Sequence, residues 1–128
     1  MKPQHLLAAA TLILATTAFA AGDPHDHAHA HTPLHGGVVV EVKDIDYELV
    51  AQPSVIQLYL RDHGKPADVS NAGARLTLLT GTEKQEVVLK PAGDKLEATG
   101  SFKVAPGSKA VAVVTVAGKP STVRFVLK

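Results

Sequence analysis

The chain has 128 residues, no cysteine, and a formal charge of +1 with its seven histidines neutral. That length suits one domain, and the missing thiols exclude a disulfide scaffold, a thiolate metal site, a cysteine enzyme and an acylated lipoprotein. Balanced charge leaves no basic field to hold nucleic acid.

Residues 1–20 read as a secretory signal peptide. Met1-Lys2 is a short basic start, Leu6 to Phe19 is an apolar run broken only by threonines, and Ala18-Phe19-Ala20 puts small residues where a signal peptidase cuts. The run is shorter than the roughly 20 residues of a spanning helix, so the expectation is cleavage, export to the periplasm and no membrane anchor in the mature form. The predicted mature chain starts at Ala21, and its acidic and basic side chains balance once Lys2 is gone.

Residues 21–36 form a histidine-rich arm of Ala, Gly, Asp, Pro and His, with Leu34 as its one large apolar residue. Such a segment has little to bury and is expected to be flexible. His25, His27, His29 and His31 alternate with small or acidic residues, and His35 follows. In an extended chain, residues two apart project to one side at roughly 6.6–7 Å, so neighbouring imidazoles can turn toward one ion. Asp26 adds a carboxylate oxygen. Imidazole suits Zn, Ni, Co and Cu(II). The single methionine, Met1, leaves with the signal, which disfavours a Cu(I) carrier, and the arm lacks the clustered carboxylates of a calcium site. Ordering a flexible arm costs about 1–2 kcal/mol per residue, which points to moderate affinity and to buffering, capture or hand-off of a divalent transition metal.

From residue 37 to 128 the pattern is all-β. Short valine-rich runs alternate with Gly, Pro, Asp and Asn at strand spacing, and no stretch holds a helical period. The expected strands are Val38–Val42, Tyr47–Ala51, Val55–Arg61, Ala74–Leu79, Gln85–Leu89, Lys95–Val104 (with Gly100 a bend), Ala110–Val116 and Thr122–Leu127. About eight short antiparallel strands imply a β-sandwich, favoured here over a small barrel. In Val55–Arg61, alternation sends Ile56, Leu58 and Leu60 inward and Gln57, Tyr59 and Arg61 outward. Asp44 and Asp46 read as polar residues of a turn, and Asp62-His63-Gly64-Lys65-Pro66 as a hairpin loop in which His63 is a weaker metal candidate. No nucleophile, base and orienter can be nominated together, so the protein is not expected to be an enzyme.

The order of the histidine arm, His35-Gly36-Gly37, Tyr47-Glu48-Leu49-Val50, Leu58 to Pro66, Leu89 to Leu96 and Gly100-Ser101-Phe102 resembles the N-terminal β domain of periplasmic adaptor subunits of heavy-metal efflux pumps of the resistance-nodulation-division class. The resemblance implies a periplasmic role in heavy-metal resistance, with His35 and the arm histidines as metal candidates and an efflux pump or its adaptor as a partner. It does not extend to the helical hairpin, lipoyl-like domain and barrel of a full adaptor, so the expectation is a stand-alone accessory protein. The alternative expectation is a β-sandwich interaction module that docks on an envelope partner and has no metal function of its own.

Overall fold

The computed structural model describes residues 32–128. The signal segment and the arm residues His25, Asp26, His27, His29 and His31 lie outside the described residues. The described chain is all-β: β1 (Val38–Val42), β2 (Ile45–Ala51), β3 (Val55–Asp62), the two-residue β4 (Lys65–Pro66), β5 (Ala72–Thr80), β6 (Glu83–Ala92), β7 (Lys95–Thr99), β8 (Lys109–Val116) and β9 (Lys119–Val126).

Every pairing is antiparallel, in the order β1-β2-β3-β7-β6-β5-β8-β9, with β4 added to β3. β6 joins the two layers. Its residues from Glu83 to Leu89 pair with β5, whereas Lys90 to Ala92 pair with β7. The sheet therefore folds over on itself and nearly closes, with Cα atoms of β1 and β9 within 8 Å but no strand hydrogen bonds joining the two.

The core lies between the layers and follows the period of two that strands impose. Ile56, Leu58 and Leu60 of β3 face Leu76 and Leu78 of β5, Ala112 and Val114 of β8 and Phe125 of β9, all buried. Val69, in the connection from β4 to β5, adds a further buried side chain. Packing rather than cross-linking holds this fold, because the chain has no cysteine.

Three hairpins turn through pairs of positive-φ residues, Lys43-Asp44, His63-Gly64 and Ala117-Gly118. That sign at both central positions matches the twist of the flanking strands. His63 is thus a turn residue, as expected. Asp46, by contrast, is not in the turn: it lies in β2 and is 3% exposed. The expected strand Lys95–Val104 stops at Thr99. Beyond it the chain leaves the ladder, and Gly100 and Phe102 donate their N–H groups to Ser54 and Pro53 carbonyls.

Candidate functional site

Strand alternation puts Asp46 and Glu48 of β2, with Tyr59 and Arg61 of β3, on the face opposite the core, and the register sets Glu48 beside Tyr59 and Asp46 beside Arg61. A free sheet face would leave these side chains wet. Instead Glu48 is 1% and Arg61 7% exposed. Residues 32–37 lie across this face as a strap and cover it.

Glu48 fastens the strap. Its Oε2 accepts the N–H groups of His35 at 2.7 Å and Gly37 at 2.9 Å, and its Oε1 accepts that of Leu34 at 3.0 Å. Arg61 Nη2 donates to the Thr32 carbonyl at 3.0 Å, and Nη1 lies 3.7 Å from Glu48 Oε1 as an ion pair. The guanidinium balances a carboxylate that burial alone would discourage. Gly37 is required by this close approach: a Cβ there would sit 2.9 Å from the Leu49 carbonyl carbon and 2.9 Å from Val50 Cγ2. Gly36, at φ +76°, supplies the left-handed step that turns the strap into β1.

The His35 ring is held on two further sides. Nδ1 lies 3.1 Å from Glu48 Oε1, and the ring stacks on Tyr59 with centroids 3.5 Å apart and planes 5° from parallel. Tyr59 is itself positioned by its hydroxyl on Gln57, which donates to Glu97, while Lys95 Nζ sits 5.9 Å from the centre of the Tyr59 ring.

Electrostatics then fixes the tautomer. Burial pushes the Glu48 carboxyl up, but hydrogen bonds from the Gly37 N–H, the His35 ring, and the His35 and Leu34 N–H groups outweigh it and hold it below the usual value. An ionised carboxylate only accepts, so the neutral His35 ring must carry its proton on Nδ1. Among the described residues nothing takes the Nε2 lone pair, which remains for a ligand on a side chain 37% exposed. A carboxylate on one imidazole nitrogen, with the other free, is the arrangement that orients metal-binding histidines and raises their basicity.

The chain matches no family model, no curated protein and no solved structure.

Of the metal candidates, His35 has this built environment. His63 is on an exposed turn with its ring on the Asp62 carboxylate. No group of three or more His, Asp or Glu side chains that could hold a metal ion occurs among the described residues. His25, Asp26, His27, His29 and His31 lie outside them. Sequence reasoning found His35 but missed Glu48, Arg61 and Tyr59. Alternation puts these three on a shared face, while nothing in the pattern says that the preceding residues cover it.

Proposed function

We propose that the protein is a periplasmic accessory protein that captures or buffers a divalent transition metal, with His35 as the fixed first ligand and the alternating histidines before it supplying the others. The observation that carries this reading is the Glu48–His35 pair: a buried carboxylate holds Nδ1 and leaves Nε2 open to a cation. The strap starts immediately after His31, so the arm enters next to this imidazole and the chain need not close a long loop to bring further rings to it. Cargo held by imidazoles alone, with no thiolate, exchanges readily, which suits hand-off to an efflux pump or its adaptor better than catalysis.

The test is calorimetric titration of the untagged exported protein with Zn²⁺, Ni²⁺, Co²⁺ and Cu²⁺. Replacing His25, His27, His29 and His31 with alanine is expected to remove most of the binding, and His35→Ala to weaken what remains, with the fold intact in both. Failure of the untagged protein to bind any of the four ions overturns the reading.

A further inference from the structure

At one end of the folded sheet, a half-open cleft of about 850 Å³ lies between the β1–β2, β3–β4 and β8–β9 turns, and neither Glu48 nor His35 lines it. This size is in the range of small-molecule sites. Tyr47 and Leu60, 4% and 3% exposed, line it together with the half-buried Val42, Ile45, Ala67 and Val116. The lining is mainly apolar, so water gains few hydrogen bonds there, and an apolar guest is favoured by the area it removes from solvent.

The rim selects among apolar guests. Lys43, Lys65 and Lys119 border the cleft from three different turns, all exposed, and none is in an ion pair among the described residues. Two carboxylates also border the cleft, Asp62 against the His63 ring and Asp68 accepting from the N–H and hydroxyl of Ser70, so with His63 neutral the rim keeps an excess of one positive charge. An apolar mouth with that single excess positive charge complements one negative head group on an apolar body.

We infer that this cleft binds an amphiphile with an unbranched apolar body and a carboxylate head, a fatty acid of medium length. The apolar part lies against Tyr47, Leu60 and Val116, and the carboxylate meets Lys43, Lys65 and Lys119. The site shares no residue with the Glu48–His35 pair and does not depend on the metal reading.

Dodecanoate, below its micellar concentration and with chelator present, is titrated into the exported protein by calorimetry, with dodecyltrimethylammonium as the head-group control. One-to-one binding of dodecanoate at least about tenfold tighter than the cationic amphiphile is expected. Replacing all three lysines with glutamine should cost about tenfold and erase that preference; these exposed positions leave the core untouched. Ala67→Trp, which fills the cleft, should abolish binding while the β-sheet circular dichroism spectrum shows the fold retained. The inference is overturned if dodecanoate does not bind, if both amphiphiles bind equally, if the lysine variant binds as the parent does, or if sedimentation shows the cleft closed by a second copy.

Discussion

Replacing Glu48 by glutamine keeps the volume and removes the charge. Four hydrogen bonds lose their ionic acceptor: those from Leu34, His35 and Gly37 N–H and from the His35 ring. A hydrogen bond to a charged group contributes about 1.5–3 kcal/mol against about 0.5–1.5 for a neutral one. The loss is partly offset, because the exposed Leu34 and His35 can turn to water. The carboxamide also brings two donors into a cluster of donors, and Arg61, 7% exposed, loses the Glu48 charge beside it. Breaking a buried pair from one side costs about 3–5 kcal/mol, so a loss near 3 kcal/mol is expected, read as a lower urea midpoint. With Nδ1 no longer held by a carboxylate, zinc affinity should also fall by about 10–100-fold, the usual effect of removing the partner behind a metal-binding histidine. Calorimetry with Zn²⁺ checks the second effect and urea unfolding the first. A Glu48→Gln protein with parental midpoint and parental zinc affinity would refute the argument that this carboxylate organises the site.

Further expectations follow from the same geometry. Gly37→Ala should push the strap off Glu48 and weaken zinc binding about tenfold, the lower end of that same loss, while leaving the core amide protection pattern of β5 and β8 unchanged; full zinc affinity would contradict it. Because the Glu48 carboxyl is held below its ordinary value of 4.5, its contribution is fully present above that pH and is lost as pH falls through the lowered value. The Gly37 amide resonance should therefore titrate with a midpoint below 4.5, and a midpoint above it would show that burial wins over the hydrogen bonds. Leu76→Ala, at a fully buried position of β5, should cost about 2–5 kcal/mol in urea unfolding without altering zinc affinity; a loss under 1 kcal/mol would contradict the packing described.

Much of the fold is legible in the residue pattern, and the reasons are local. Val38–Val42 is a strand because consecutive β-branched residues suit a pleated surface, and its observed bounds are the expected ones. Ile56, Leu58 and Leu60 alternate inward as read, and the turn at His63-Gly64 falls where the breakers stand. Long-range geometry is where pattern reading ends. Lys95–Val104 alternates well enough to look like one strand, yet hydrogen bonding to Pro53 and Ser54 takes residues 100–102 out of the ladder. Glu41 and Glu48 look alike in sequence, both acidic and within apolar strands, but Glu41 is exposed and Glu48 is 1% exposed. The difference is the strap, whose docking depends on two glycines and three backbone N–H groups rather than on side-chain type. His35 was legible as a ligand candidate from its neighbours in the chain, whereas the carboxylate that holds its ring lies thirteen residues away.

The strand order also bears on how fast the chain can assemble. Most neighbours in the sheet are sequence neighbours and can form as hairpins on the microsecond scale. Two junctions are not: β3 finds β7, with Ile56 opposite Ala98, and β5 finds β8, with Leu76 opposite Ala112. Both must close large loops before their contacts are gained, which places this topology among the slower folders of its size. The β5–β6 and β6–β7 hairpins form a local unit in which β6 lies between β5 and β7, leaving β7 to meet β3 on one side and β5 to meet β8 on the other. Substitutions where β6 changes partner, between Leu89 and Lys90, are thus expected to slow refolding more than they speed unfolding.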